Sequence, residues 1–275
     1  MFLLYRYILF ILIIILIGCS SYNNEPNYSY WPMHVIDNTS YGSDGTKVRD
    51  VNGDGYEDII CGWEQGGIAR LYIHPINGDQ WSYVEVPAPA VEDALFADLD
   101  GDGFQDIVTF SEGKHKRITF HWAPESSDYL DSEKWVSEDV PSTINITGWM
   151  FGRPMNVDNK NGIDLIVGSK NEGAILGWLE SPENPRDASA WKLHTIKEVG
   201  WIVSIEIIDI DSDGLKDILI SDRFGENNGL KWFKHPGFVN DKFYSAWEEY
   251  VIGMQGQEPM FLDVVDQDHD GLWDI

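Results

Sequence analysis

The chain opens with a nearly continuous apolar run, "MFLLYRYILFILIIILIG". From Trp31 onward its hydrophobic positions come instead in short bursts of distinct kinds. One kind alternates behind a tryptophan: "WPMHVID", "WSYVEVP", "WVSEDVP", "WKLHTIK" and "WEEYVIG", opened by Trp31, Trp81, Trp135, Trp191 and Trp247. A second is short and β-branched ("DIICG", "DIVTF", "DLIVG", "DILIS"), and a third ends in an aromatic and a proline ("LYIHP", "FHWAP", "GWLESP", "KWFKHP"). Alternation of period two marks a strand with one wet face, and a short continuous apolar run marks a strand covered on both. No helical period follows the opening run, so the pattern predicts an all-β fold.

Between these bursts lies one recurring polar segment. "DVNGDGYED" at 50 to 58 returns as "DLDGDGFQD" at 98, "DIDSDGLKD" at 209 and "DQDHDGLWD" at 266, with a worn copy, "NVDNKNGID", at 156. The starts are 48, 58, 53 and 57 residues apart, a period that signals a supersecondary unit stacked on copies of itself. Each tryptophan precedes its loop by 17 to 21 residues. The order within a period is constant: the Trp-led strand, an apolar strand entering the acidic loop, the β-branched strand leaving it, and the proline-ended strand. Four strands per period predict a β-propeller of four-stranded blades.

Alternate carboxylates repel one another and resist burial unless a cation sits among them, so the loop reads as a metal loop. An EF-hand is excluded, because its bidentate glutamate at position twelve would be Cys61, Thr109 or Ile220, and because the flanks are β-branched instead of helical. Composition agrees with cation binding: 46 Asp and Glu against 19 Lys and Arg give a net charge of −27, which repels nucleic acid. The two cysteines, Cys19 and Cys61, make no disulfide framework, and Cys61 falls in a strand where a small apolar role suits it.

Across residues 31 to 275 the repeats resemble the FG-GAP/VCBS family, whose blades also build the integrin α-chain propeller. "DVNGDGYEDI", "DLDGDGFQDI", "DIDSDGLKDI" and "DQDHDGLWDI" match that family's calcium motif. The resemblance implies Ca²⁺ at several structural sites. Their ligands would be Asp50, Asn52, Asp54 and Asp58; Asp98, Asp100, Asp102 and Asp106; Asp209, Asp211, Asp213 and Asp217; and Asp266, Asp268, Asp270 and Asp274, with the seventh carbonyl and water completing each shell. Glycine at position six allows the turn that this requires. Loop three keeps Asn156, Asp158 and Asp164 but sets Lys160 at position five, which weakens or abolishes that site and lets an ammonium stand in for the ion.

The opening segment has one positive charge, Arg6, before the apolar run and ends in Leu16-Ile17-Gly18-Cys19. It resembles a bacterial lipoprotein signal, so that residues 1–18 would be removed, Cys19 lipidated and residues 19–30 left as a polar tether. The alternative is an uncleaved membrane helix. The lipoprotein reading places the chain outside the cytoplasm, on the outer membrane or cell surface, touching membrane only through lipid.

Repetition filters the remaining residues. His34 and His194 share Trp-x-x-His, and His74 and His235 precede a blade-end proline, so all four read as architectural. No catalytic motif appears, and no catalytic residue is assigned. Propeller geometry puts Trp149, Arg153, Lys170, Trp201, Glu206 and Arg223 on the face opposite the acidic loops or on the channel-lining strands. Indoles beside cations there suggest an anionic or polar glycan as ligand; the alternative is that the tryptophans fill the channel and the cations balance nearby acids. The expected function is a binding module for a glycan or a surface protein. The alternatives are the propeller of a carbohydrate-active enzyme (a polysaccharide lyase or sugar dehydratase) and a structural adhesion protein. The resemblance implies seven blades in a closed ring, so these residues are expected to form an open arc, C-terminally incomplete, of four blades and the start of a fifth, with "WPMHVID" as an outermost strand.

Overall fold

The computed structural model describes residues 31–78 and 80–275. Each of the first four acidic loops is the connection of an antiparallel hairpin, and each of these hairpins is the inner half of a four-stranded sheet. The first sheet is β1 (Ser43–Arg49), β2 (Asp58–Trp63), β3 (Ile68–Ile73) and β4 (Ser82–Pro87); the second is β5 (Val91–Ala97), β6 (Asp106–Ser111), β7 (Arg117–Trp122) and β8 (Val136–Asp139). The third is β9 (Gly148–Met155), β10 (Asp164–Lys170), β11 (Ile175–Glu180) and β12 (Lys192–Glu198); the fourth is β13 (Ile202–Ile208), β14 (Asp217–Asp222), β15 (Gly229–Lys234) and β16 (Glu248–Gly253). Strand order follows chain order in all four, as consecutive antiparallel connections dictate. The fold is β-propeller-like.

The inner strands pack in succession, β1 on β5, β5 on β9 and β9 on β13. Burial follows from that arrangement: β5 is covered along its whole length, whereas β1 is exposed at five of its seven positions. The core therefore lies between blades. One cluster joins Leu71 and Val84 to Phe96 and Trp135, a second joins Phe110 and Trp122 to Trp149 and Trp191, and a third joins Trp178 and Ile166 to Ile205 and Phe233. Ion pairs stitch the inner strands as well. Lys47 Nζ lies 2.5 Å from the buried Asp93 Oδ1, and Arg153 Nη2 lies 3.1 Å from Glu206 Oε1.

Four of the five tryptophans stand immediately before an outermost strand, Trp81 before β4, Trp135 before β8, Trp191 before β12 and Trp247 before β16. The indole N–H of Trp135, Trp191 and Trp247 donates to the carbonyl of Tyr129, Pro185 and Phe243 respectively, at 2.8–2.9 Å, tying down the turn that precedes each strand. The fifth differs. "WPMHVID" is not a strand: residues 31–35 are exposed and without regular structure, and the compact unit begins at Ile36. The alternation is real, but its anchor is Asp37, whose Oδ2 accepts from Arg70 Nη1 at 2.5 Å and from the Tyr72 hydroxyl at 2.7 Å. After β16 the chain forms only the closing bridge of a fifth hairpin, Val265 with Asp274, around the last acidic loop. The apolar opening segment and Cys19 lie outside the described residues.

Close blade packing makes one inner-strand glycine irreplaceable. A Cβ on Gly152 would stand 2.1 Å from Cζ of Phe110, a fully buried ring with no room to retreat. Gly152→Ala is expected to cost about 2 kcal/mol by overpacking, read as a lower urea midpoint. A midpoint equal to that of the parent chain would show that the interface is loose.

Candidate metal centres and the opposite face

The five loops share one backbone path. Positive φ recurs at position four (Gly53, Gly101, Asn159, Ser212, His269) and at position six (Gly55, Gly103, Asn161, Gly214, Gly271). Glycine, asparagine and short polar residues tolerate that conformation best. The first residue folds the loop by accepting backbone N–H groups. Asp50 Oδ1 takes Gly53 N at 2.8 Å while its Oδ2 takes Gly55 N at 2.9 Å, and Asp98 does the same with Gly101 and Gly103. The fifth residue accepts from the seventh, as Asp54 does from Tyr56 N and Asp213 from Leu215 N.

Carboxylate oxygens of Asp98, Asp100 and Asp102 converge within 4.8 Å, as do those of Asp209, Asp211 and Asp213 and those of Asp266, Asp268 and Asp274. In loop one Asp50, Asn52 and Asp54 keep the same internal bonds, with Asn52 Oδ1 accepting from Asp54 N at 2.9 Å. These are sets of hard oxygens held close together, and they fit a hard divalent cation. Loop three does not fit: Lys160 Nζ stands 3.5 Å from Asp158 Oδ2, and the Asn161 carbonyl accepts from the Ser181 hydroxyl.

The ninth aspartates have a second job that the spacing did not announce. Asp58, Asp106, Asp164 and Asp217 are buried, and each clasps two backbone amides. One is the amide of loop position two: Val51, Leu99, Val157 and Ile210, at 2.8–3.2 Å. The other belongs to the residue before the blade-end proline: His74, Ala123, Ser181 and His235, each at 2.8 Å. Each oxygen retains a lone pair that a cation could use. Burial pushes Asp106 and Asp164 up to about 7 despite these bonds, and neighbouring loop acids add to the shift.

The six candidate ligand residues on the other side divide. Trp149 is fully buried between blades two and three, its indole N–H donating to Thr143 O at 3.0 Å, so it presents no binding surface. Lys170 is buried as well, held by Glu112 at 2.7 Å and Glu92 at 3.0 Å. Arg153 and Glu206 pair with each other. Trp201 and Arg223 remain accessible. The Trp201 ring has Lys170 Nζ at 4.9 Å and Arg223 Cζ at 5.2 Å, and Phe224 lies 5.4 Å away, with Arg223 also at 4.8 Å over Phe224. Beside this row a cleft of about 160 Å³ opens between blades three and four, lined by Lys197, Gly200, Asp222, Phe224, Asn227 and Lys231. The Glu92–Glu112–Lys170 junction and the Phe224 cleft went unseen in the sequence, because neither recurs at a fixed phase.

Residues 50–109 match the family described as FG-GAP-like repeat. The match runs from Asp50 to Thr109, and so spans loop one, the outer three strands of blade one, β5 and the second acidic loop. The matched segment thus covers one period of the chain together with the acidic loop that opens the next. Comparison with curated proteins returned no match.

Burial, reinforced by Glu112 and opposed by Lys170, pushes the Glu92 carboxyl up to about 7. The unfolded chain releases this proton near 4.5 and the folded chain only near 7, so in that window the unfolded state binds fewer protons and the contribution of Glu92 to stability falls as pH rises. Glu92→Gln removes that fall. The melting temperature of the variant minus that of the parent, at fixed calcium, is expected to increase between these two pH values; a constant difference would contradict the linkage.

Proposed function

We propose that the chain is a calcium-stabilised, lipid-anchored, extracytoplasmic propeller that serves as a binding module for a polar glycan. The metal reading is carried by the converging oxygens of loops two, four and five, with loop one sharing their internal hydrogen bonds. The ions would neutralise carboxylates that the folded loops force together, and so fix the inner hairpin of each blade; their role is structural. Anchoring rests on Gly18-Cys19 at the end of the apolar run.

The ligand reading rests on the row Trp201, Phe224 and Arg223 beside the blade three–four cleft. Sugar faces stack on aromatic rings, while Asn227 and the Arg223 guanidinium would supply donors to hydroxyls or carboxylates. It is narrower than the sequence expectation, since Trp149, Lys170, Arg153 and Glu206 are occupied by the protein itself.

Chelation should lower the melting temperature by roughly 10 °C or more, given about 2–3 kcal/mol per saturated site, and Asp54→Ala should reduce bound calcium by one ion. An unchanged melt in excess chelator would remove the structural metal.

For the ligand, Trp201→Ala and Phe224→Ala should each weaken retention on immobilised acidic polysaccharide by about tenfold, at roughly 1.4 kcal/mol for a lost stacking contact, with calcium content unaltered. Equal retention by parent and variants would remove the cleft as a binding site.

A further inference from the structure

The acidic loops differ in a respect that the repeat conceals: three of them are met by a cation from the protein itself. In loop two, Arg186 reaches from the connection between β11 and β12, its Nε bonded to Asp100 and its Nη2 3.3 Å from Asp102 Oδ2, while its guanidinium lies 4.9 Å over the Trp122 ring. Blade three thereby supplies the charge that blade two's loop lacks. In loop four, Lys234 at the end of β15 bonds Asp211 and lies 2.8 Å from Asp213 Oδ2. In loop three the cation is built into the loop. Lys160 Nζ lies 3.5 Å from Asp158 Oδ2 and 3.8 Å from Asp241 Oδ1, and 5.0 Å over the Phe243 ring of the segment before β16. Asp158 is 5% exposed and its Oδ2 receives no hydrogen bond, so the ammonium is the only countercharge beside it among the described residues. Loops one and five have no Lys or Arg in ion-pair contact among the described residues.

We infer that these tethered cations grade the loops: Lys160 replaces the metal in loop three outright, Arg186 and Lys234 compete with it in loops two and four, and loops one and five bind it unopposed. This rests on the calcium reading of the loops. A metal entering loop two or four must first displace a bound side chain, and breaking even a weak exposed ion pair lowers the apparent affinity. Those loops therefore bind severalfold more weakly. Loop three has lost more, since position five offers a positive charge where an oxygen ligand is needed, and the intramolecular ammonium has no translational freedom to lose.

Calorimetric titration of the calcium-free chain with Ca²⁺ tests this. The parent should take four ions in a tighter and a weaker class. Arg186→Gln and Lys234→Gln, both at partly exposed side chains, should each move one weak site roughly 3- to 10-fold tighter at an unchanged count. The double substitution Lys160→Asp with Asn161→Gly should add a fifth ion. Five ions in the parent, no added ion in the folded double variant, or titrations of Arg186→Gln and Lys234→Gln that overlay the parent would overturn the grading. A parent chain that binds no calcium at all would instead overturn the metal reading on which it stands.

Discussion

A buried carboxylate with two backbone partners holds each blade in shape. Asp58, Asp106, Asp164 and Asp217 each join the start of the acidic loop to the far end of the third strand, so three strands are fixed by one side chain. Charge-assisted bonds to amides are among the stronger hydrogen bonds, and these amides would otherwise be left without partners at a strand end. The arrangement also explains the proline that closes each third strand. A residue before proline is held extended, which suits an amide that must point back at the clasp.

The clasp also creates the electrostatic problem that the rest of the loop must solve. A carboxylate buried at position nine lies behind acids at positions one, three and five, and backbone N–H groups alone do not bring Asp106 or Asp164 back to the ordinary aspartate range. A cation is the natural counterweight, whether a metal ion or a side chain. Loop three is informative because it keeps the clasp, through Asp164 to Val157 and Ser181, and the positive φ at positions four and six, yet carries its own ammonium. The backbone path of the loop thus persists where the acidic set at its mouth is broken.

Much of this was legible in the sequence because repetition makes architecture visible. Four acidic loops and one worn copy, with tryptophans in phase, gave the blade, its strand order and the loop face. What failed was reasoning from phase where packing context differs. Trp31 has the spacing of an outermost strand but leads into the Asp37 anchor of Arg70 and Tyr72. Trp149 has an exposed-looking position at the start of β9, but the space between blades two and three takes in its whole side chain. Pairings between blades, such as Arg186 with loop two or Lys170 with Glu92, join residues far apart in the chain and carry no local signature.

The two faces of the molecule handle charge by opposite means, and this bears on where a ligand could bind. On the loop face, acids outnumber the protein cations that pair with them. Of the candidate cations on the other face, Lys170 is taken by two glutamates and Arg153 by Glu206. Arg223 is the exception, its one carboxylate partner, Glu258, at 3.4 Å and well exposed, and its guanidinium spread over Trp201 and Phe224. An exposed pair of that kind contributes little and is easily exchanged. The accessible aromatic surface and the one loosely held guanidinium of the candidate set therefore meet at the same edge of the same cleft, and this coincidence, more than the abundance of tryptophan in the chain, singles out the blade three–four junction.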